Sequence, residues 1–114
     1  MSRKVSTAKT KTTTTKEVLY TVPSSNTGFW QLLYVISADG TNTPTVYWYD
    51  KSKNTEYIVF AGKNLGAGDY VLFTDALVVV QGGDEIRISQ SGTSTVTFVV
   101  TIELIQDSTL QYQG

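Results

Sequence analysis

The sequence predicts an all-β fold: an eight-stranded antiparallel β-sandwich, jelly-roll-like, preceded by an extended N-terminal arm. Three observations carry that expectation. Short runs rich in Val, Ile, Thr, Tyr and Phe recur from residue 17 to residue 105, separated by clusters of Gly, Asp, Asn and Ser. No segment sustains a 3.6-residue apolar period, so no helix is required. The chain has 114 residues, the size of a single domain whose core needs no disulfide or metal staple.

Taken in order, residues 1–16 (MSRKVSTAKTKTTTTK) hold one valine and no larger aliphatic or aromatic residue besides Met1. Such a segment buries too little apolar area to offset its ordering entropy, so it reads as an arm without structure of its own. Its threonines favour an extended form when it docks. The first strand, 17–22, is closed by Pro23 and the polar turn 24–28. The second, 29–38, is almost continuously apolar and stops at Asp39-Gly40, a strong turn signal.

The third strand, 45–50, follows Pro44, a residue restricted to strand beginnings and edges. The fourth, 55–61, is reached through the turn 51–54. A glycine-containing loop, 62–69, leads to a fifth and a sixth, 70–74 and 76–81, with Asp75 between them. The seventh, 85–90, follows Gly82-Gly83-Asp84, and the eighth, 95–105, is the longest. Residues 106–114 form a polar tail in which Leu110 and Tyr112 are the groups able to dock on a neighbour. The domain division is therefore arm 1–16, sandwich 17–105 and tail 106–114.

Alternation assigns the faces. In the seventh strand Ile86 and Ile88 oppose Arg87 and Ser89; in the eighth, Val96, Phe98, Val100, Ile102 and Leu104 share one face. The second strand is apolar on both sides, Trp30, Leu32, Tyr34 and Ile36 against Phe29, Leu33 and Val35. The third repeats this, with Val46 and Trp48 against Tyr47 and Tyr49. An antiparallel strand apolar on both sides implies a covered outer face, either by the chain's own loops and arm or by another subunit. Trp30, Tyr34, Tyr47, Trp48 and Tyr49 are thus the candidate subunit interface.

Charge is divided unevenly. Arg3, Lys4, Lys9, Lys11 and Lys16 lie in the first sixteen residues with no acid among them, whereas the rest sets Lys51, Lys53, Lys63 and Arg87 against all ten Asp and Glu. The formal net charge of −1 conceals a basic arm on an acidic body. The five arm cations are the candidate docking contacts, suited to an acidic protein surface such as a neighbour's body. An acidic body and lysines diluted by threonine argue against a direct nucleic-acid role.

Composition also bounds the chemistry. There is no histidine and no cysteine, which removes the commonest general base, the Ser-His and Cys-His nucleophiles, disulfides and thiolate metal sites. No catalytic residues and no cofactor are assigned. Asp69, Asp75, Asp84 and Glu85 would make a calcium site only if their loops converged, and their spacing is not that of a dedicated loop. Glycines with an aspartate at 66–69 and 82–84 read as turn devices. The loop 62–68 lacks the Gly-Lys-Ser/Thr ending of a phosphate loop. Trp30, Trp48, Tyr47 and Tyr49 are the rings a sugar-binding surface would use. No apolar run approaches the roughly 20 residues of a membrane helix, and no apolar h-region follows the N-terminal cations.

The order of these pieces resembles a group of small β-sandwich virion proteins of tailed bacteriophages, including marine phages and cyanophages. The resemblance runs through Tyr20-Thr21-Val22-Pro23, the long apolar strand, residues 45–50, Thr55-Glu56-Tyr57, the Gly-rich loop and Leu77-Val78-Val79-Val80. It continues through Gly83-Asp84, Ile86-Arg87-Ile88-Ser89 and the final β run, and covers residues 17–105. It implies a non-enzymatic structural protein made in the host cytoplasm and located on the virion. The expected role is a capsid decoration (cement) subunit, homo-oligomeric and as a rule trimeric, whose arm docks on capsid or neck and tail proteins. The alternative it implies is a neck, tail or fibre module binding a receptor or carbohydrate.

Overall fold

The computed structural model describes residues 2–92 and 94–107. Eight strands run β1 (Ser2–Lys11), β2 (Glu17–Thr21), β3 (Asn26–Ser37), β4 (Pro44–Asp50), β5 (Thr55–Phe60), β6 (Tyr70–Gln81), β7 (Glu85–Gln90) and β8 (Val96–Gln106). They form two four-stranded antiparallel sheets, ordered β1-β8-β3-β6 and β2-β7-β4-β5. Every connection passes between the sheets except the β4–β5 hairpin, which turns through the 3₁₀ segment Lys51–Lys53. Two four-stranded sheets in that order are a jelly roll.

The roll is complete only because the arm supplies a strand. Residues 2–11 lie antiparallel to β8 over ten paired positions, from Ser2 opposite Ile105 to Lys11 opposite Val96. A segment too polar to build a core can still add a backbone ladder to an existing sheet edge, which composition alone does not reveal. The other difference concerns residues 70–81. Asp75 interrupts nothing: it sits at φ 67° within β6, opposite a register break between Trp30 and Leu32 of β3. A turn-prone residue has produced a bulge, and the two strands expected there are one.

That bulge at Gln31 also resets β3. Trp30 is fully buried, and beyond the bulge the buried positions are Leu33, Val35 and Ser37, while Leu32, Tyr34 and Ile36 face outward. The strict alternation expected for Trp30, Leu32, Tyr34 and Ile36 fails because one inserted residue flips every later side chain. Elsewhere alternation holds. Ile86 and Ile88 of β7 are buried, as are Val96, Phe98, Val100, Ile102 and Leu104 of β8. Gly28 is required by packing, because a Cβ there would lie 2.8 Å from Val80 Cγ2 and 2.9 Å from Ile102 Cγ2.

Asp84 locks one end of the roll. It is buried after Gly83, whose φ of +92° makes the turn, and its carboxylate accepts from Trp48 Nε1 (3.0 Å), Gln81 N (2.9 Å) and Lys51 N (3.0 Å). At the C-terminus Asp107 N donates to Ser25 O and Asp107 Oδ1 accepts from Thr27 Oγ1. Leu110 and Tyr112 fall outside the described residues.

Candidate interaction surface

Three surfaces account for the candidate residues. On the first, the outer face of the β2-β7-β4-β5 sheet, Tyr47 and Tyr49 of β4 point away from the core. Lys16 Nζ lies 4.2 Å from the Tyr47 ring centroid, and the Arg87 guanidinium 3.9 Å from that of Tyr49. Both cations also grip Glu56, Lys16 at 2.6 Å and Arg87 at 3.0 Å, and Arg87 reaches Glu85 at 2.8 Å. Burial opposes ionisation of Glu56, but the hydrogen bonds from Lys16 and Arg87 outweigh it and hold its carboxyl below the ordinary range. The Tyr47 hydroxyl is 2.9 Å from Ser89 Oγ, and the Tyr49 hydroxyl donates to Asn54 Oδ1. The two tyrosines are therefore covered largely by the chain's own cations.

Trp30 and Trp48 belong inside. Trp30 is 0% exposed and donates its Nε1 to Leu32 O at 3.0 Å, so it is a core residue and cannot be an interface anchor. Trp48 packs against the core, stacks on Tyr57 at 5.2 Å and spends its N–H on Asp84. Tyr34 alone of that set faces outward without such cover, its ring 5.7 Å from Tyr70. Of the two tryptophans expected to serve a sugar platform, Trp30 is out of solvent altogether and Trp48 is half-buried against the core.

The second surface is the flank closed by β1 and β2. Arg3, Val5, Thr7, Lys9 and Lys11 stand on the core-facing side of β1, opposite Leu104, Ile102, Val100, Phe98 and Val96. Lys11 is buried, and it donates to Glu17, at the start of β2, and to Thr13; Lys9 meets the other Glu17 oxygen at 2.6 Å. Hydrogen bonds from Lys11, then Lys9, pull the Glu17 carboxyl down from 4.5 to about 2. So Lys9, Lys11 and Lys16 of the five candidate docking cations are engaged within the chain. Arg3 and Lys4 make no ion pair among the described residues; Lys4 borders a shallow cleft of about 590 Å³ with Gln31, Leu32, Thr74, Asp75 and Thr101.

The third surface is the opposite flank, where edge strands β5 and β6 meet. Phe60 and Phe73 pack ring to ring at 5.5 Å across the two sheets. To either side of them, Ile58 is 65% exposed on the outer face of one sheet, and Tyr70 and Leu72 are 58% and 51% exposed on the outer face of the other, with Tyr57 and Val79 also in solvent. Both strands leave one row of backbone groups unpaired, and no lysine or proline blunts either edge. This apolar flank was missed from the sequence. Tyr57-Ile58-Val59-Phe60 and Tyr70-Val71-Leu72-Phe73 are apolar on both sides, the same signal that singled out the second and third strands, but sequence does not say which strands end a sheet.

The acids of the candidate calcium site do not converge: Asp84 accepts from three N–H donors, Asp69 from Gly66 N and Glu85 from Arg87, and Asp75 sits in the β6 bulge. Among the described residues no group of three acidic side chains is placed to hold a metal ion, and no helix is long and apolar enough to cross a membrane.

No family model matches the chain, and no curated protein matches it. Among the solved structures that share its fold are these two. One, from Bacillus endospore appendages described as a novel family of disulfide-linked pili, aligns at a TM-score of 0.54 and 16% identity over 91% of this chain and 84% of that one. The other, from the infectious bursal disease virus Gx strain, aligns at 0.51 and 13% identity over 93% of this chain. This chain spans about a third of that viral chain, 32% of its length. Lacking cysteine, it has no means of disulfide linkage. Pilus and virus share with it a jelly roll, and at these identities the likeness is one of fold.

Proposed function

We propose that this chain is a non-enzymatic structural subunit of a protein assembly, in its most specific form a bacteriophage capsid decoration subunit that self-associates and stabilises the particle it sits on. The observation that carries the reading is the β5/β6 flank. A monomer that kept Ile58, Tyr70 and Leu72 in water beside two unpaired strand edges would be prone to edge-to-edge aggregation, and a neighbouring subunit removes that liability. The lack of histidine and cysteine and the shallow, open clefts support a mechanical role over a catalytic one. The shared fold with a pilus and a virus is consistent with it. Exposed Arg3 and Lys4 remain the N-terminal groups free to meet an acidic neighbour.

Sedimentation of the purified full chain across micromolar concentrations tests the self-association. The expected result is an oligomer, a trimer in the decoration reading, that Leu72→Asp dissociates. A monomer at all concentrations removes the reading. Electron microscopy of particles incubated with the protein, with and without residues 2–16, tests the decoration role; density on the capsid lost with that segment is the expected result.

A further inference from the structure

β1 differs from the other strands in what holds it. Only Val5 among its side chains packs on the core as a half-buried apolar group, and Lys11 alone is buried. By contrast β8, its partner, buries Val96, Phe98, Val100, Ile102 and Leu104. What joins the two is a ten-position backbone ladder and the hydroxyl pairs Ser6–Thr101 and Thr10–Thr97 at 2.8 Å each, while the Lys9 and Lys11 clasp on Glu17 ties β1 to β2. None of these contacts depends on side-chain shapes that only the same chain can supply. The segment joining β1 to β2 is 12–16, Thr-Thr-Thr-Thr-Lys, exposed throughout and without regular structure.

We propose that β1 is an exchangeable strand: Ser2–Lys11 of one copy leaves its own β8 and takes the β8 edge of a second copy in the same register. The occupant is a second copy because the ladder, the two hydroxyl pairs and the Glu17 clasp are all reproduced by an identical segment. The closed and exchanged forms contain the same bonds, so concentration decides between them. A five-residue tether gives the chain's own β1 an effective concentration in the millimolar range, to order of magnitude, which keeps dilute protein closed. In an assembly, neighbours held side by side match that concentration and the strand passes between them. The linkage then consists of strands threaded from subunit to subunit, which suits a chain with no cysteine for covalent joints. The inference rests on the assembly reading only for the presence of neighbours.

The absence of cysteine makes the test direct. Full-length Ser6→Cys and Thr101→Cys variants are purified separately, mixed at high concentration and oxidised, with Ser6→Cys mixed with Lys63→Cys as the control. Exchange predicts a disulfide-linked heterodimer, identified by mass spectrometry, severalfold above the control, and faster in the Glu17→Gln background. The double variant Ser6→Cys/Thr101→Cys closing within one chain, while the mixture gives no heterodimer above control, overturns the exchange. Repeated in the Leu72→Asp background, where high concentration alone supplies the second copy, a heterodimer that persists above control upholds the exchange even where self-association is lost, so the exchange and the assembly reading can each fall alone.

Discussion

Where β1 and β2 close one flank, Lys9 and Lys11 converge on Glu17 and hydroxyl pairs bridge β1 to β8. Where β5 and β6 close the other, Phe60 meets Phe73, and apolar side chains on the outer faces of both edge strands stand in water. One flank is finished with charge and hydroxyls, which is how natural sheets keep strangers off an edge. The other leaves apolar side chains in water and is the face proposed to meet a neighbour. The contrast teaches that the two edges of a jelly roll can be finished differently. One is finished mainly by ion pairs and hydroxyls within the chain, although Val18 of β2 is 44% exposed there, the other by apolar side chains with no such cover.

The core shared by both flanks sets the energy scale. Trp30→Ala removes the largest buried side chain and is expected to cost about 3–5 kcal/mol, read from urea unfolding. One cooperative transition in that experiment means the flanks depend on a common core; two separate transitions would show them to be independent units. Next comes Asp84→Ala, which leaves Trp48 Nε1, Gln81 N and Lys51 N without their acceptor and is expected to cost about 1–3 kcal/mol. Its damage belongs to the β4–β5 side, so amide exchange should rise in β4 and β5 while β1 stays protected.

The charged flank answers to pH and salt. Glu17 has a folded pKa of about 2 against 4.5 unfolded, so its contribution is complete above pH 4.5 and is lost as pH falls from there toward 2. Glu56, lowered by Lys16 and Arg87, acts in the same direction. Thermal unfolding midpoints should fall through that window, less steeply in Glu17→Gln. About 1 M salt, with a Debye length of about 3 Å, should loosen β1 first, seen as faster amide exchange at residues 2–11. Solvent screens this partly exposed clasp, so the effect is smaller than that of the core change. Uniform exchange along β1 and β6 at high salt would remove the distinction between the flanks.

The fold was legible because β7 and β8 alternate without interruption, and alternation reports a sheet with one buried face. The two places that misled have a common cause. Gln31 and Asp75 lie opposite each other in a paired irregularity of β3 and β6. Each looked local in the sequence, an ordinary residue in an apolar run and a turn former between two strands, and only the pairing makes them one feature. The N-terminal strand was hidden for another reason. Its stability comes from the edge of β8 about ninety residues away and from Glu17, and a composition rule sees neither. Of the candidate interface, Tyr34 faces outward half-buried beside Tyr70, whereas Trp30 is set on the core side by the bulge and Tyr47 and Tyr49 are covered by Lys16 and Arg87.

The smallest expected change in stability makes the sharpest test of the contrast. Ile58 is 65% exposed on β5, opposite Tyr47, so Ile58→Asp removes little buried area and adds a charge in water. Its unfolding free energy should move by no more than about 0.5 kcal/mol. The same charge placed where two apolar flanks meet must be desolvated, so self-association measured by sedimentation should weaken by at least about tenfold, or about 1.4 kcal/mol. The mirror substitution, Ser6→Asp on β1, should leave association unchanged in dilute protein. If both substitutions weaken association equally, the apolar flank has no special claim as the contact surface; if Ile58→Asp instead unfolds the chain, that flank is part of the core and not a face kept for a neighbour.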